Sequence, residues 1–542
     1  MNFRCVLRCM GVVLAMVAAR ANAAATTESS VDQTSVQQSS AGPSPVEQWG
    51  LYEISLVGPA TGNPFIDVDL TASFTNGQKT LKVHGFYDGD GIYRIRFMPP
   101  ETGSWKYQTQ SNCPALNGQS GSLVAVAPMV GHHGLVRVHN TYHFAYADGT
   151  PYVEIGTTSY SWIYSSEAEQ EQTLATLKAS PFDKLRMSLL PTRAGPNLYP
   201  YPQDSAGKWD PSRFNVAYFQ NLEKRVSQLN DEGVQADLIL FHPYNKGSMA
   251  WFDALDDAAD DRYINYVIAR LAAYPNVWWS LANEYGQVKN KTDADWDHFF
   301  QVVQADDPYD HLRSIHNAQK YYDPNKPWVT HASIQNGNAV NDFGRAVLYR
   351  HLIPKPVVYD EVCYEGNAKA RWGQLSGEDM VSRFWFGTIA GTYVGHSETF
   401  GNGHGGAWIS NGGKLLGQSP PRLAFLRKIL EEGPADGIEP IDEFYDQEIG
   451  GKAGEYYLVY FGYTCPTQWT FTLPVDPPEK KALVAGMKFH VDLLDTWNMT
   501  ITPVDHIYTV NRTPENGFRA DGQPLVMLPG KPWMALRIQR VP

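Results

Sequence analysis

Two apolar segments of the sequence each end on a carboxylate, and this pair is the clearest chemical signal in the chain. NVWWSLANEYG (276–286) runs through apolar and small residues into Glu284, and PVVYDEVCYEG (356–366) carries Glu361. Two carboxyl groups can cleave a glycosidic bond. One protonates the departing oxygen, and the other, when ionised, attacks the anomeric carbon or positions the water that does. We therefore predict that Glu284 and Glu361 form a catalytic pair.

The elements that must position this pair alternate between apolar strands and helical patterns from residue 131 to residue 432. Such alternation predicts parallel strands with crossover helices, and eight β/α units in about 300 residues is the size of a (β/α)8 TIM barrel. A doubly wound nucleotide fold is the alternative, but IGTTSYSW lacks its G-x-G-x-x-G turn. The predicted strands lie within 151–160, 182–192, 234–244, 276–285, 312–318, 328–336, 356–366 and 389–400, with helices such as 214–233 and 260–275 between them.

In a TIM barrel, the carboxyl ends of the strands and the loops after them build the active site. Here those ends carry polar and aromatic side chains, whereas the first halves of the strands are mostly apolar. Arg186, inside the second strand, is expected to balance carboxylates at the barrel centre. The predicted substrate-binding residues are Tyr160, Trp162, Arg193, His242, Asn283, Tyr285, His316, His331, Tyr364, Glu365, Glu398 and Trp408.

Each of these candidates also has a structural interpretation. Glu284 could cap the next helix, Glu365 could take the place of Glu361, and any single aromatic residue could be packing at the barrel mouth. Asp360 precedes Glu361, and alternation along a strand predicts that it faces away from the site.

Three histidines at strand ends could instead bind zinc, as in metal-dependent hydrolases. The sequence has neither the H-x-H nor the H-E-x-x-H spacing that usually marks such sites, and the Gly-rich stretch 399–414 lacks the phosphate-binding G-x-x-x-x-G-K-[ST] motif. We therefore predict no metal and no cofactor, with the histidines contacting sugar hydroxyls. These histidines are His242, His316 and His331.

Five segments in order, IGTTSYSW, FDKLRMSLLPT, NVWWSLANEY, DEVCYEG and GGKLLGQSPPRLAFLRKIL, resemble the apiosidase-like family of the clan A (β/α)8 glycoside hydrolases. The resemblance covers nearly all of the mature chain and implies a barrel with a β-sandwich before it and a β-domain after it. It implies a retaining reaction in which Glu284 is the general acid/base and Glu361 the nucleophile. It also implies that Asn283 hydrogen-bonds the 2-hydroxyl of the sugar.

The regions that flank the barrel have a different pattern of apolar and polar residues. Residues 47–130 alternate between apolar and polar positions, with turn residues every 8 to 12 positions, which predicts an antiparallel β-sandwich. The same pattern returns over 433–542. Neither region shows an obvious aromatic platform, so we expect both to support the barrel.

The amino terminus has the features of a secretory signal over 1–23. Arg4 and Arg8 precede the apolar stretch MGVVLAMVAA (10–19), and a small-x-small site ends at Ala23. Residues 24–46 are rich in Ala, Ser, Thr and Gln, which predicts a flexible linker. We therefore expect a periplasmic or secreted protein with no membrane anchor after signal removal.

The acidic balance of the chain argues against a nucleic-acid partner. The sequence has 57 Asp and Glu against 44 Lys and Arg, a formal charge of −13, which repels a phosphate backbone. The mature chain keeps Cys113, Cys363 and Cys465, enough for at most one internal disulfide.

Taken together, these patterns predict an exported glycoside hydrolase that acts on plant or microbial poly- or oligosaccharide. The aromatic strand ends and long loops favour a pocket for a terminal sugar, and hence exo action. A non-catalytic carbohydrate-binding barrel and a metal-dependent hydrolase are the alternatives. The oligomeric state is not readable from the sequence.

Overall fold

The computed structural model of the protein describes residues 45–191, 199–245, 247–401, 406–441, 448–474, 482–513, 517–522 and 524–542. The predicted signal segment 1–23 lies outside these residues. The predicted linker 24–46 does so too, except for its last two positions, which begin the first strand. Among the described helices, none is both long and apolar enough to cross a membrane. Cys113, Cys363 and Cys465 are all unpaired.

The amino-terminal domain is an all-β sandwich, as predicted. Its elements are β1 Pro45–Glu47, β2 Tyr52–Val57, α1 Pro64–Asp67, β3 Leu70–Asn76, β4 Lys79–Tyr87, β5 Ile92–Phe97, β6 Gly103–Ser111 and β7 Ser120–Val126. The strand order is β1-β7-β6-β3-β4-β5-β2. Alternate side chains point inward, and the rings of Phe74 and Phe97 stack at 3.9 Å between centroids in the core.

The barrel follows, and its strands lie within the predicted segments. They are β10 Gly156–Thr158, β11 Lys184–Ser188, β12 Gln235–Phe241, β13 Val277–Ala282, β14 Arg313–Ser314, β15 Ala332–Gln335, β16 Val357–Glu361 and β17 Tyr393–His396. All pairings are parallel, in the order β14-β13-β12-β11-β10-β17-β16-β15. A parallel bridge between His316 and Ser333 joins the two ends of this sheet and closes the barrel.

The helices of the barrel pack around these strands. They are α2 Glu167–Lys178, α3 Val216–Asp231, α4 Asp257–Leu271, α5 Asp293–Asp306, α6 Phe343–Leu352, α7 Gly377–Ile389, α8 Trp408–Asn411 and α9 Ser419–Glu431. One β/α unit departs from the prediction: residues 315–331, all of which the structure describes, contain no helix between β14 and β15.

A short hairpin closes the amino end of the barrel. Its strands are β8 Val136–His139 and β9 His143–Tyr146. Phe144 on the hairpin packs against Trp278 at 5.1 Å between ring centroids, in a cluster with Val136, Leu312 and Val358. Because this end is filled by apolar packing, the opposite, carboxyl end of the strands is the one open to a substrate.

The sandwich is anchored to the outside of the barrel by buried charges. Arg270 on α4 donates to Asp88 at 2.6 Å, and Arg96 on β5 donates to Glu223 on α3 at 3.0 Å. All four side chains are buried. Removing one partner of such a cluster leaves a buried charge uncompensated. The contact therefore fixes the sandwich against the outer helices.

The carboxyl-terminal domain is also all-β. Its strands are β18 Glu439–Pro440, β19 Ile449–Lys452, β20 Tyr456–Tyr460, β21 Gln468–Thr470, β22 Thr472–Leu473, β23 Lys488–Asp495, β24 Thr500–Pro503, β25 Tyr508–Arg512, β26 Phe518–Ala520, β27 Leu525–Met527 and β28 Met534–Val541. The main sheet has the order β18-β19-β20-β28-β23-β25-β26-β22. Phe471 and Tyr508 stack in its separate core.

Candidate active site

Glu284 and Glu361 come together at the carboxyl end of the barrel. Glu284 follows β13, Glu361 ends β16, and the side chain of Gln335 at the end of β15 lies between them. The Gln335 amide nitrogen donates to Glu284 Oε1 at 3.1 Å and to Glu361 Oε2 at 2.7 Å. These two facing oxygens are therefore at most about 5.8 Å apart. This upper limit lies nearer to the roughly 5–5.5 Å between carboxyls of retaining glycosidases than to the roughly 6.5–9.5 Å of inverting ones.

The Glu361 carboxylate accepts hydrogen bonds from Tyr160 and Arg186 and lies beside His316. The Tyr160 hydroxyl donates to Oε1, the Arg186 guanidinium donates to the same oxygen at 3.2 Å, and His316 Nε2 lies 3.4 Å from it. Burial of this carboxyl, which is 9% exposed, would raise its pKa. The charge of Arg186 and the hydrogen bonds from Tyr160 and Gln335 outweigh burial, and the net effect lowers the pKa of Glu361. Glu361 is therefore ionised at neutral pH, as a nucleophile must be.

A β-bulge explains how Glu361 reaches the barrel interior beside Asp360. The pairing of β15 with β16 shifts register, from Ser333 opposite Val358 to Gln335 opposite Glu361. The extra residue on β16 breaks the alternation of side chains, and bulges re-aim side chains in this way next to active sites. The expectation that Asp360 faces away is therefore wrong, since its Oδ1 lies 2.9 Å from the buried Lys184 amine inside the barrel.

Glu284 sits in a turn that directs its half-buried carboxyl at the same space. Its backbone has a φ of 43°, in the left-handed region that is unfavourable for a residue with a side chain. The Tyr244 hydroxyl donates to Oε2, and Gln287 donates to that oxygen at 3.1 Å. Such strain persists only where surrounding contacts hold it, and here it points the carboxyl towards Gln335.

Asn283 links the two halves of the site. Its side-chain oxygen accepts from Arg186 at 2.5 Å, and its amide nitrogen donates to the Tyr244 hydroxyl at 3.0 Å. Arg186 also contacts Glu361, so one fully buried amide couples the environments of Glu361 and Glu284. The predicted position of Arg186 among carboxylates at the barrel centre agrees with this arrangement.

The orientation of His316 follows from a chain of hydrogen bonds beneath the site. The Ser333 hydroxyl donates to Asp360 at 2.5 Å, so its oxygen accepts from His316 Nδ1 at 2.8 Å. Burial and the nearby Arg186 charge lower the pKa of His316 to about 4. The hydrogen bond at Nδ1 thus turns Nε2 towards Glu361.

Family comparisons agree with this geometry. Residues 138–415 match the family model described as "Apiosidase-like, catalytic domain", and a protein from Bacteroides vulgatus assigned as a glycoside hydrolase is 39% identical. The match covers 92% of this chain and all of that one, with a TM-score of 0.88. The chain belongs to the apiosidase-like glycoside hydrolases. It is thus an enzyme of the glycosidase class.

More distant structures share the fold. One described as a glycoside hydrolase is 16% identical, with a TM-score of 0.56 over 75% of this glycoside hydrolase and 97% of its own chain. A glycoside hydrolase family 5 protein from Bacteroides vulgatus is 14% identical, with a TM-score of 0.55 over 75% and 94%. Residues 45–112 and 445–539 match two domains of unknown function, DUF5060 and DUF5605. No protein with a curated description matches the sequence.

Two predicted substrate contacts of the glycosidase instead hold a distant loop. Glu398 accepts from the backbone N–H groups of Leu416 and Gly417, both at 2.8 Å. Glu365 accepts from the backbone of Gln418 at 2.6 Å and Ser419 at 3.0 Å, at the start of α9. Both carboxyls are buried, so their predicted contact with substrate is replaced by anchoring of this segment. Glu365 is likewise not placed as an alternative to Glu361.

Burial also removes three aromatic residues from the predicted binding surface. Trp162 donates its indole N–H to the Met187 sulfur at 2.8 Å, Trp408 donates to the Thr157 hydroxyl at 2.9 Å, and Tyr285 packs against other rings. Each is at most 1% exposed. Their structural interpretation, packing at the barrel mouth, is the one that fits these positions.

The three histidines do not converge on one point. His331 precedes β15 at the amino end of the barrel, where it packs edge-to-face against Phe144 and Trp278, so neither substrate contact nor a shared metal site with the others fits. His242 is buried, donates to the Leu190 carbonyl at 2.9 Å and accepts from the Tyr244 backbone at 3.1 Å. It therefore positions Tyr244. Within the described residues, no cluster of His, Cys, Asp or Glu has the arrangement of a metal site.

The remaining candidates differ in position. Tyr160 and His316 border Glu361 directly. Tyr364 is buried beside them, where burial and the charge of Glu361 raise the pKa of its hydroxyl. It also contacts the exposed Trp372, whose ring centroid lies 5.9 Å away. Arg193 falls outside the described residues. Sequence reasoning did not single out Gln335 or Trp372, although the position of Gln335 at the end of a predicted strand was an available signal.

We expect Tyr160→Phe to move the acid limb of the pH profile. The variant loses a hydrogen bond to ionised Glu361, which raises the pKa of this carboxyl. Hydrogen bonds to charged groups contribute about 1.5–3 kcal/mol, so the rise should be roughly one unit or more. A nucleophilic role for Glu361 requires its ionised form, and on that role kcat/KM should decline at a higher pH in the variant than in the parent. Tyr263→Phe is the control, since its buried hydroxyl donates to the Leu240 carbonyl at 3.1 Å, and an equal shift in both variants would contradict the assignment.

Proposed function

We propose that the protein is an exported, retaining, exo-acting glycosidase that removes terminal sugars from plant or microbial poly- or oligosaccharides. The observation that carries the proposal is the hydrogen bonding of the Gln335 amide nitrogen to both Glu284 and Glu361. This shared donor sets an upper limit on the distance between their facing oxygens. At this separation one carboxyl can reach the anomeric carbon directly, without a water between them. No metal or cofactor enters the proposed reaction.

The proposed reaction has two steps. First, the Glu284 carboxyl gives its proton to the departing oxygen while a Glu361 oxygen attacks the anomeric carbon, and a glycosyl ester forms as the glycosidic bond breaks. Second, the Glu284 carboxylate takes a proton from water, whose oxygen attacks the same carbon and releases Glu361. Tyr160 and Arg186 hold the attacking oxygen in place through both steps.

The proposed substrate class follows from the family and from the surroundings of the site. The family name refers to the removal of apiose, which favours side chains of plant cell-wall polysaccharides as the substrate. Export is proposed from the signal-like sequence of residues 1–23, with an apolar stretch too short to span a membrane. A periplasmic or secreted enzyme would meet such glycans.

The experiment that tests this function is a product screen with stereochemical readout. Residues 24–542 would be incubated with plant and bacterial glycans and aryl glycosides, and the anomeric proton of the first-formed sugar followed by NMR. We expect release of a monosaccharide whose initial anomer matches the substrate. Inversion would contradict the double displacement, and tight sugar binding without turnover on any substrate would favour a carbohydrate-binding protein.

We expect Trp372→Ala to raise KM without lowering kcat. Trp372 is 49% exposed, lies in the loop after Glu361 and contacts Tyr364, so its free face is available to a sugar ring. Aromatic contacts contribute about 0.5–1.5 kcal/mol, which predicts a two- to tenfold rise in KM. A contact made equally in the ground and transition states changes KM alone. Steady-state kinetics with Trp372→Phe as control would test this, and a lower kcat at unchanged KM would contradict it.

A further inference from the structure

An exposed tyrosine and a partly buried tryptophan form an aromatic pair on the carboxyl-terminal domain beside the barrel. Tyr463 is 51% exposed, and its ring meets that of Trp533 at 4.7 Å between centroids and an angle of 69°. The Tyr463 hydroxyl donates to Asp379 in the first turn of α7 at 2.7 Å. An exposed tyrosine whose hydroxyl is tied down cannot turn freely, so one face of its ring is presented in a fixed direction.

Trp533 has a strained backbone conformation that hydrogen bonds to neighbouring residues hold in place. Its φ of 65° lies in the left-handed region, where a bulky residue costs about 1–3 kcal/mol. Its N–H donates to the Gly462 carbonyl at 2.8 Å, and its own carbonyl accepts from the Thr496 N–H at 2.9 Å and hydroxyl at 2.8 Å. A glycine or asparagine would fit this backbone with less strain. The backbone alone thus does not favour an indole at this position.

The pair lies on the side of the barrel that carries the active site. Helix α7 follows β16, which ends at Glu361, so its first turn is at the carboxyl end of the strands. One turn after Asp379, Arg383 donates to the backbone carbonyls of Gly337 and Val362, in the loops that follow Gln335 and Glu361. The exposed Trp372 precedes the same helix. Exposed aromatic rings thus flank both ends of the segment 372–379.

We propose that Tyr463 and Trp533 form a second carbohydrate-contacting surface, which holds a polysaccharide chain whose end occupies the catalytic pocket. Rigid aromatic rings offer apolar faces to the C–H faces of sugars at little entropic cost. The inference rests on the proposed function only for the nature of the ligand. It assigns to the carboxyl-terminal domain a binding role that its sequence did not reveal.

The test is native affinity electrophoresis of residues 24–542 in gels that contain soluble arabinogalactan, rhamnogalacturonan, arabinoxylan or galactomannan. Glu361→Gln would serve as the parent, so that the polysaccharide is not consumed. We expect retardation by at least one polysaccharide, weakened about tenfold by Tyr463→Ala and by Trp533→Asn. Tyr463→Phe keeps the ring but loses the bond to Asp379, so it should weaken retardation less than Tyr463→Ala. Asparagine tolerates the left-handed backbone at position 533, which limits misfolding.

Unchanged retardation in both variants, or no retardation of the parent by any of the four polysaccharides, would overturn the proposal. So would a difference in mobility between parent and variants without polysaccharide, since that would assign the pair to contact between copies of the chain. Hydrolysis of short aryl glycosides tests the proposed function separately. If retardation depends on the pair but the protein hydrolyses no substrate, the result supports this inference and contradicts the proposed function.

Discussion

Glu361→Ala is expected to lower kcat/KM by about 10²–10⁴ or more on every substrate, because the attacking group itself is lost. Glu284→Gln should cost as much on natural glycosides, whose departing oxygen needs a proton. On aryl glycosides with a very acidic phenol the first step needs little protonation, so Glu284→Gln should retain most of its rate of glycosyl-ester formation. Comparing both variants on both substrate types separates the two roles.

Added azide distinguishes the two roles by the configuration of the glycosyl azide that forms. In Glu361→Ala the vacated space admits azide on the face that Glu361 attacks, and a glycosyl azide of inverted configuration should form. In Glu284→Ala azide should instead intercept the glycosyl ester and give the retained azide. The same product configuration from both variants would contradict the assigned roles. Glu365→Gln is the matched control, since it alters a buried carboxylate that caps α9 and should lower stability rather than the chemical rate per folded molecule.

The fold was readable from the sequence because its signals are local. Apolar strand runs alternating with helical periodicity identified the barrel segments, and parallel strands bring their carboxyl ends to one edge. That rule alone predicts that Glu284 and Glu361 lie near each other. The missing helix between β14 and β15 was not predicted, because length was taken as evidence of a complete β/α unit.

Side-chain direction at the strand ends could not be read in the same way. Glu365 and Glu398 look like Glu361 in sequence, but their partners are backbone amides of residues 416–419, which only the folded chain brings near. His331 lies one residue before its strand rather than after it. Gln335 was missed because an amide carries no charge to suggest chemistry, and Trp372 because it lies in an irregular loop.

Lys184→Met is expected to produce the largest loss of stability of any single change beneath the site. Lys184 is 1% exposed on β11, and its amine lies 2.6 Å from Glu154, 2.9 Å from Asp360 and 3.8 Å from Asp237. Burial alone would lower the pKa of Lys184 and raise that of Asp360. The neighbouring carboxylates outweigh this effect and leave the pKa of Lys184 raised, and the charges of Lys184 and Arg186 hold the pKa of Asp360 well below its usual range. Removing the cation leaves the buried carboxylates without a counter-charge, and this typically lowers the free energy of unfolding by about 3–5 kcal/mol.

The control for this variant is Lys178→Met. Lys178 is 67% exposed and pairs with Glu232 at 2.8 Å, and a surface pair of this kind contributes about 0–1 kcal/mol. Calorimetric unfolding of both variants and the parent at one pH gives the comparison. Equal shifts of the barrel transition would show that the buried cluster contributes no more than a surface pair.

The pH dependence of the Lys184→Met effect identifies its cause. The raised pKa of Lys184 contributes stability that is fully present below about pH 10, and the depressed pKa of Asp360 contributes stability that is fully present above about pH 4 and lost as pH falls below it. The difference between Lys184→Met and the parent should therefore be largest near pH 9 and shrink towards pH 3 as protonation neutralises the carboxylates. Glu154 and Asp237 are neutralised first, because burial raises their pKa values to about 8 and about 6. A difference independent of pH would instead assign the loss to packing around Trp278, whose ring lies 5.1 Å from the amine.

Because Asp360 also accepts from the Ser333 hydroxyl that orients His316 beside Glu361, variants of this cluster that remain folded should also show altered kcat.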